Sequence, residues 1–575
     1  MNIKKLIPIL EWLPNYNSTL FRGDLFAGIT VGIILIPQGI AYALIAGLPP
    51  IYGLYCALVP QAMYAIFGSS RQVAIGPVAM DSLIVATGVS ALALAGSESY
   101  ISIAILLALM VGIIQLIMGI FSLGFLVNFL SKPVINGFTS AFALIIGFNQ
   151  FKNLLGVDFV QSDQIQVILK DILLKIGGFN YHTAILGCIA ISTIIIFRKI
   201  NKKIPNALIV VIIGILIMKY AGDSFVGVSI VKEIPSGLPK FGIPVFNSDL
   251  IKDLLPIAFT LVMVGYLETI SIGKSLEAKQ DEYRIRPNQE LIALGLSNII
   301  GSLFKAYPSA SSFSRSAINQ ESGAKTGMAA LIAVVMVVIT LLFLMPLFYY
   351  LPKTVLAAII IVAVFGLINL KEARFLWKAN KLDFWLMIAT FLITLFLGVE
   401  YGISAGVGLS LIILIFRTSR PHVAELGKVP DSNFYKNKQR FEEVVIEEDI
   451  LVFRFDAQLF YANASYFRDR LDFLMDKKGS ALKLIVLDAE SINRVDSTGL
   501  EMLIECIRFC QKKGILFYLS GVKGPVRDNL FKTGILEIID LEHFFMRSNE
   551  AVIFYKTGDR AHQEKYSKYI HQFYK

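Results

Sequence analysis

The stretch YPSASSFSRSAINQESGAKT, Tyr307 to Thr326, lies between two long apolar runs, yet it is crowded with hydroxyl side chains and contains one arginine, Arg315. A serine-rich turn that leads into a helix is a ready anion site, because free backbone N–H groups and the helix dipole both point towards the ligand. Polar backbone between membrane spans is usually buried in protein or lines a cavity, and an arginine there is a functional candidate. The stretch therefore predicts half of an anion-binding site within a membrane.

The composition indicates a polytopic membrane protein. Of the 575 residues, 55% are hydrophobic, and many apolar runs reach about 18 residues, which is enough to cross a bilayer. Cys506 and Cys510 stand four apart in a helical pattern and are expected to pack inside a helix rather than bind metal. We find no Walker motif, nucleophile elbow or metal cluster in the sequence. We therefore expect no enzyme, no metal, no bound cofactor and no nucleic-acid partner.

Fourteen segments are predicted to cross or enter the membrane. Lysine and arginine concentrate in the loops after even-numbered segments, so the positive-inside rule places both termini in the cytoplasm, with residues 1–22 on the membrane surface. The segments lie near residues 24–45, 51–67, 78–91, 101–121, 133–148, 182–197, 207–220, 254–272, 289–304, 311–317, 328–345, 354–368, 384–397 and 402–416.

Two of these segments are too short to cross: the third and the tenth. They occupy the same place in each set of seven, and each is a polar or Gly/Pro stretch followed by a short helix, Ser69–Ser82 and Tyr307–Asn319. Because seven is odd, the second set is inverted relative to the first. Inverted repeats with paired broken helices indicate a secondary transporter whose site lies near the bilayer midplane.

The chain changes character after the predicted transmembrane domain, residues 23–417. Residues 418–440 are polar and are predicted to be a linker, and 441–557 alternate strand-like and helical runs, which indicates a small α/β domain. Residues 444–457 are predicted as a hairpin, 482–490 and 515–521 as strands, and 464–477, 497–513 and 526–532 as helices. The basic tail 558–575 is expected to be mobile or to lie on the membrane.

Several segments resemble the sulfate permease (SulP) family of anion transporters. They are AGITVGIILIPQGIAYALIAGLPPIYGLY (Ala27–Tyr55), GSSRQVAIGPVA (Gly68–Ala79), NQELIALGLSNIIGS (Asn288–Ser302) and SSFSRSAINQESGAKT (Ser311–Thr326). The C-terminal part is similar to a STAS domain, with VDSTG (Val495–Gly499) at its strand-to-helix turn. The resemblance implies two inverted seven-segment repeats that form a core domain (segments 1–4 and 8–11) and a gate domain (5–7 and 12–14). It also implies a homodimer and alternating access by an elevator-like movement.

The family carries sulfate, bicarbonate, chloride or dicarboxylates, and the segment that begins ETISIGKSLEAKQ is most similar to its sulfate-transporting members. We therefore expect proton-coupled sulfate uptake in the inner membrane of a bacterium, among membrane lipids. The alternatives are a sodium-coupled bicarbonate or dicarboxylate transporter, an exchanger or an anion channel. A scaffold that only docks a cytoplasmic protein through its STAS domain is a further class.

Arg315 is expected to supply a permanent positive charge beside the anion. The alternative is a structural arginine that pairs with a carboxylate or with backbone carbonyls. Ser311, Ser312 and Ser314 would add hydroxyl and amide donors, although a serine-rich turn is often only a helix cap. Gln38 and Tyr42 share one helix face, and by resemblance they border the anion together with Val78 and Ala79. From the residues alone, Gln38 also fits a hydrogen bond between helices.

Two acidic residues are candidates for ion coupling. Glu268 lies deep in the eighth segment, where burial favours its protonated form and a nearby Arg315 its charged form, so it suits proton binding and release. The alternative is a permanent Glu268–Arg315 ion pair. Asp81 stands where the family pattern leads us to expect a small or apolar residue. It is either a second coupling carboxylate or a cap for backbone at the third segment.

The STAS-like turn contains a possible regulatory site. Asp496, Ser497 and Thr498 match the turn where related bacterial regulators are phosphorylated, and the resemblance makes Thr498 the acceptor. The alternative, which we favour, is a plain helix N-cap by Asp496 or Ser497.

Overall fold

The computed structural model describes residues 6–125, 131–200, 206–245, 248–278 and 283–559. The chain forms two compact units, Met1–Ser410 and Leu411–Lys575. Residues 1–5 of the predicted surface segment and 560–575 of the basic tail lie outside the described residues.

The first unit is helical. Each of the fourteen predicted segments coincides with helix, and eight helical stretches in the described part of the chain are long and apolar enough to cross a membrane. The helices are α1 (Ile9–Trp12), α2 (Ser18–Ile45), α3 (Pro50–Cys56), α4 (Val59–Phe67), α5 (Ala79–Ser90), α6 (Glu98–Ile120), α7 (Lys132–Asn149), α8 (Phe151–Leu155), α9 (Ile165–Lys175), α10 (Tyr181–Ile200), α11 (Asn206–Ala221), α12 (Ser248–Glu277), α13 (Pro287–Leu303), α14 (Phe313–Glu321), α15 (Met328–Ile339), α16 (Lys353–Phe365), α17 (Leu370–Ala379), α18 (Lys381–Leu397) and α19 (Val399–Ser419).

The two broken segments meet in a short β-sheet. Strand β1 (Ile75–Gly76) precedes α5, strand β2 (Ala310–Ser311) precedes α14, and the two strands pair antiparallel. The third and tenth segments are thus each a short strand followed by a half-helix, and the sequence predicts the half-helices but not the strands. Helix α14 ends at Glu321, beyond the predicted boundary at residue 317. The pairing carries both half-helix starts to one place inside the unit.

Close helix packing in the first unit depends on small residues. A methyl group added at Gly112 of α6 would lie 2.6 Å from the backbone nitrogen of Ile299 in α13, and one at Gly295 would lie 2.6 Å from that of Leu116. Such approaches of backbone to backbone hold membrane helices together without a hydrophobic driving force. Helix α2 packs on α15, and α7 packs on α18, which agrees with the grouping into core and gate segments.

The second unit is an α/β fold around one mixed sheet with the strand order β4-β3-β5-β6-β7-β8. Its strands are β3 (Val423–Lys428), β4 (Tyr435–Asn437), β5 (Ile450–Phe455), β6 (Leu484–Asp488), β7 (Leu516–Ser520) and β8 (Phe544–Phe545), and its helices are α20 (Ala464–Lys478), α21 (Ser497–Lys512), α22 (Gly524–Lys532) and α23 (Ser548–Thr557). Strands β5 to β8 are parallel neighbours, and β3 pairs antiparallel with both β4 and β5.

Two expectations for this unit are wrong. The predicted linker 418–440 contains β3 and β4, and the predicted hairpin 444–457 contains only one strand, β5. The reason is topological: β5 is central, and its antiparallel partner is β3 from the supposed linker. Ala424 and Leu426 are buried in alternate positions along β3, a pattern too short to stand out among polar residues. Strand β8 and helix α23 were not predicted from the sequence.

Candidate functional site

The site is built from two helix starts. Helix α5 begins directly after Val78, which provides no side-chain cap, and α14 begins after Ser312, whose Oγ accepts from the backbone nitrogen of Arg315 at 3.5 Å. The first N–H groups of an α-helix have no partner within the helix, and the helix dipole is positive there. Because β1 and β2 pair immediately before these helices, both positive helix ends begin at the same sheet.

Arg315 is completely buried, with 0% of its surface exposed. Its Nη1 donates to Gln38 Oε1 at 3.2 Å, and its Nη2 donates to the carbonyl of Pro77 at 3.0 Å. Its Nε has no partner among the residues that the structure describes. Neighbouring Gly76 has a φ of +149°, a backbone conformation that favours glycine, and a methyl group there would lie in van der Waals contact with Nη2, at 3.4 Å.

A structural Arg315 would pair with backbone carbonyls or with a carboxylate, and only the first of these contacts is present among the described residues. One carbonyl, that of Pro77, does accept from the guanidinium. An ion pair between Arg315 and Glu268 is absent from the described residues, where Glu268 Oε2 has no hydrogen-bond partner at all. The positive charge is therefore held by neutral oxygens, and a bound anion would be its counter-ion.

The three candidate serines differ in what their hydroxyl groups do. Ser311 is fully buried, and its Oγ accepts from Thr269 Oγ1 of α12 at 2.9 Å. Ser312 Oγ lies 3.3 Å from Ser314 Oγ, and Ser314 is exposed. Ser311 thus ties the extended segment to α12, whereas the buried Ser312 and the exposed Ser314 lie at the start of α14.

Four further candidates lie around the same place. Gln38 contacts Arg315 directly, Tyr42 is buried one turn further along α2 within electrostatic range of Arg315 and Glu268, and Val78 and Ala79 follow the Pro77 carbonyl. The structure therefore brings the α2 face, the α5 start and the α14 start together. That these residues bind the anion stays a prediction.

Each of the two acidic candidates has a carboxylate oxygen without a hydrogen-bond partner among the described residues. Asp81 in the first turn of α5 is 2% exposed, and its Oδ1 finds no hydrogen-bond partner in the described part of the chain. A methyl group at Gly265 of α12 would lie 3.8 Å from Asp81 Oδ2. Glu268 stands three residues after Gly265, on the same helix face, and lies within electrostatic range of Asp81 and Arg315. Asp81 and Glu268 are called the carboxylate pair below.

Two other acids, Glu290 and Asp24, are buried and accept several hydrogen bonds each. Glu290 accepts from Tyr64 Oη at 2.6 Å, from the backbone nitrogen and Oγ of Ser69 at 2.8 and 2.6 Å, and from the backbone nitrogen of Ser70 at 3.3 Å. Asp24 accepts from the backbone nitrogens of Lys325 and Thr326 at 2.6 and 3.0 Å, and from Thr326 Oγ1 at 2.6 Å. These two residues are called the saturated carboxylates below.

Several residues that support the site do not stand out in the sequence. Besides the saturated carboxylates, Thr269 holds Ser311, and the buried Tyr307 contributes twice: its hydroxyl pairs with Ser82 Oγ at 3.0 Å, and its carbonyl accepts from Cys56 Sγ at 2.8 Å. The Pro77 carbonyl was also missed. The Gly-Pro dipeptide before α5 is the signal that points to it, because proline cannot donate a hydrogen bond and leaves irregular backbone.

The STAS-like turn is a capped helix start. Asp496 accepts from the backbone nitrogen of Gly499 at 2.8 Å and from that of Tyr461 at 3.0 Å, so the N-cap interpretation holds for Asp496. Gly499 is required by close approach, since a methyl group there would lie 2.6 Å from the Leu459 carbonyl. Ser497 and Thr498 are exposed, and phosphorylation of Thr498 stays a prediction.

Cys506 and Cys510 pack inside the second unit, as expected. Both are free thiols in one buried cluster on α21. Burial raises the pKa of each thiol to about 12. They therefore stay protonated and behave as apolar core residues.

Comparison with known proteins identifies both units. The model of the "Sulfate permease family" matches residues 21–390, and that of the "STAS domain" matches residues 443–551. "Sulfate transporter 4.1, chloroplastic" from Arabidopsis thaliana is 40% identical over 568 residues, covering 96% of this chain and 82% of that protein. Sulfate transporter 3.1 from the same plant is 34% identical, with 96% and 87% covered.

Solved structures share the fold. The murine Slc26a9 anion transporter in its inward-facing state superposes with a TM-score of 0.88 at 27% identity, covering 96% of this chain and 94% of that one. The transmembrane domain of the cyanobacterial bicarbonate transporter BicA gives a TM-score of 0.60 at 21% identity, with 69% and 98% covered, which speaks for the fold alone. The chain is an integral membrane protein that belongs to the sulfate permease family and ends in a STAS domain.

Proposed function

We propose that this protein is a secondary active transporter that imports sulfate together with protons. The observation that carries the proposal is Arg315, whose side chain is fully buried where two positive helix starts meet and, among the described residues, donates hydrogen bonds to the neutral oxygens of Gln38 and Pro77. Such a charge requires a counter-ion, and helix starts bind oxyanions. The relatives that cover almost the whole chain are named sulfate transporters.

Coupling follows from the charge of sulfate. Moving one charge against 100 mV requires about 2.3 kcal/mol, so a dianion that enters a compartment negative inside requires about 4.6 kcal/mol. This alone would exclude sulfate more than a thousandfold. An importer therefore needs a cation partner, which we take to be the proton.

Glu268 is the group to which we assign the proton. It lies within electrostatic range of Arg315 without forming an ion pair with it among the described residues. When charged, Glu268 offsets the field of Arg315 at the site. Once protonated, it leaves that field to the sulfate, so that proton and anion each favour binding of the other.

Alternating access completes the proposed cycle. The core segments that carry α5, α12 and α14 would move as one body against the gate segments, in an elevator-like manner. The homodimer, the cytoplasmic termini, a bacterial inner membrane and a protein partner for the STAS domain are further proposals that this function does not require.

Sulfate uptake by the purified protein in proteoliposomes tests the proposal. We expect uptake to rise as the external pH falls, to be independent of sodium, and to be reduced more by selenate than by chloride, since selenate is also a tetrahedral dianion. Glu268→Gln should still exchange sulfate but accumulate about tenfold less under one unit of pH gradient. Uptake that ignores pH and requires sodium would overturn the proton proposal and favour a sodium-coupled transporter.

A further inference from the structure

If each sulfate moves with one proton on Glu268, the second acid of the carboxylate pair, Asp81, has no role in coupling. Asp81 is 2% exposed, and its Oδ1 makes no hydrogen bond to any residue that the structure describes. Burying a carboxyl group without a hydrogen bond is costly, and a charged carboxylate costs far more than a neutral one. The saturated carboxylates show that this fold can supply four donors to a buried acid where a permanent charge is required.

The surroundings of Asp81 connect it to the site. It lies in the first turn of α5, two residues after Ala79, so its charge stands at the positive helix end where the anion is expected. It also packs against Gly265, one helical turn from Glu268 on α12. A charged Asp81 therefore opposes both an anion at the α5 start and a charge on Glu268.

The titratable groups around Asp81 can be named by element. Cys56 of α3 and Tyr307 before β2 lie within electrostatic range of it, as does Glu268 of α12. Tyr42 of α2 and Arg315 of α14 are linked to it through Glu268. Helices α6 and α7 also pack on α5, and they bring charged side chains only near their first residues. Arg315 is thus the one cation that balances two acids in this group.

We propose that Asp81 and Glu268 each carry one proton with every sulfate, so that the protein moves two protons and one sulfate without net charge. This inference rests on the proposed function. With both carboxylates charged and the site empty, Arg315 and the carboxylate pair sum to minus one. With both protonated and a sulfate dianion bound, the sum is again minus one. The moving core domain carries the same charge in both directions, so the membrane potential neither drives nor opposes the cycle.

One-proton coupling behaves differently. A cycle that uses Glu268 alone moves one net negative charge inward with each sulfate. At 100 mV, negative inside, that charge opposes accumulation by about 2.3 kcal/mol, or about 50-fold. The two stoichiometries therefore differ in a quantity that can be measured at equilibrium.

The experiment determines the sulfate gradient at which net flux stops. Proteoliposomes with the full-length protein are clamped at zero potential with potassium and valinomycin, a pH difference of one unit is imposed, and labelled sulfate flux is recorded at several sulfate gradients. We expect the wild type to balance at about a hundredfold gradient, and Asp81→Asn and Glu268→Gln each to balance at about tenfold. The double variant should exchange sulfate without accumulating it. At 100 mV the wild-type balance should not move, whereas that of each single variant should shift about 50-fold.

Matched variants separate coupling from folding. Thr87 lies further along α5, and its hydroxyl donates to the carbonyls of Leu83 and Ile84 in its own helix. The Thr87→Val variant should therefore balance at the same sulfate gradient as the wild type. Asp81→Glu should restore the hundredfold balance. If Asp81→Asn does not fold, the wild type decides alone, because a tenfold balance that shifts with potential overturns the inference while leaving proton-coupled uptake intact. No response of the balance to pH would instead overturn the proposed function itself.

Discussion

The first unit holds buried acids in two kinds of environment. Glu290 and Asp24 each accept several hydrogen bonds, and they join segments far apart in the chain: α13 to the turn after α4, and α2 to the turn before α15. Asp81 and Glu268 lie beside Arg315, and each has a buried oxygen without a hydrogen bond to any described residue. A carboxylate that holds a structure together needs its donors at all times, whereas one that exchanges a proton must be stable enough in either form. The difference predicts which acids serve stability and which serve transport.

Removing the charge of Arg315, which lies beside both members of the carboxylate pair, should have the largest effect on sulfate binding. We expect Arg315→Ala to reach the membrane folded but to bind sulfate about a hundredfold more weakly, because charge-assisted hydrogen bonds in a water-poor site are lost. Isothermal titration with sulfate in detergent measures the change. Arg374→Ala, on the exposed face of α17, is the matched control and should bind as the wild type does. Equal affinity of Arg315→Ala and wild type would place the site elsewhere.

The saturated carboxylates should carry the next largest effect, on stability. Glu290→Gln replaces a carboxylate, which only accepts hydrogen bonds, with an amide whose N–H₂ group faces existing donors. This change should lower the free energy of unfolding by about 2–3 kcal/mol. A fall of roughly 5 °C in the apparent melting temperature follows. Thermal unfolding followed by intrinsic fluorescence in detergent provides the measurement. A variant that melts with the wild type would show that these hydrogen bonds do not hold the segments together.

The matched change in the carboxylate pair should leave stability intact. Glu268→Gln removes the charge of a carboxylate whose Oε2 has no hydrogen bond to any described residue, so we expect the apparent melting temperature in sulfate-free buffer to stay the same or to rise by about 1–2 °C. The same fluorescence experiment compares it with Glu290→Gln. A loss as large as that of Glu290→Gln would remove the distinction between the two environments.

The smallest effect on stability is expected for Asp456, a partly exposed acid in the second unit. Burial raises the pKa of Asp456, but hydrogen bonds from Arg454 and His422 outweigh burial and hold this pKa below its usual value. A lowered folded-state pKa contributes stability above the unfolded value, near about 4, and this stability is lost as the pH falls through the folded value. Asp456→Asn should therefore destabilise by at most about 1 kcal/mol at neutral pH.

Hydrogen exchange of the β5 amides can follow this difference in the full-length protein. The difference in the free energy of opening between the wild type and Asp456→Asn should shrink as the pH falls below about 4, after correction for intrinsic exchange. A gap that widens in acid would contradict the sign of the pKa change.

The sequence allowed prediction of features that stand out against their local background. Arg315 is conspicuous because a charge among apolar segments is rare, and the two half-helices because both are short and similarly placed. The contact between Arg315 and Gln38 could not be predicted, since it joins residues 277 positions apart and depends on the pairing of β1 with β2. Glu290 looked unremarkable for the same reason: most of its donors come from Ser69 and Ser70, far away in the sequence. Strand β3 was missed because it is only six residues long and lies within a polar stretch, so its buried Ala424 and Leu426 form too short a pattern to stand out.

Proton uptake on sulfate binding is a direct test of whether the anion and the protons are coupled at one site. Purified protein in weak buffer is mixed with neutral sodium sulfate in the presence of a pH indicator, and potassium sulfate is the control for sodium. We predict net proton uptake with each sulfate bound, reduced in Glu268→Gln and absent in Arg315→Ala, because the anion and the protons favour each other at one site. Sulfate that binds tightly to the wild type without any proton uptake, with either cation, would contradict proton coupling.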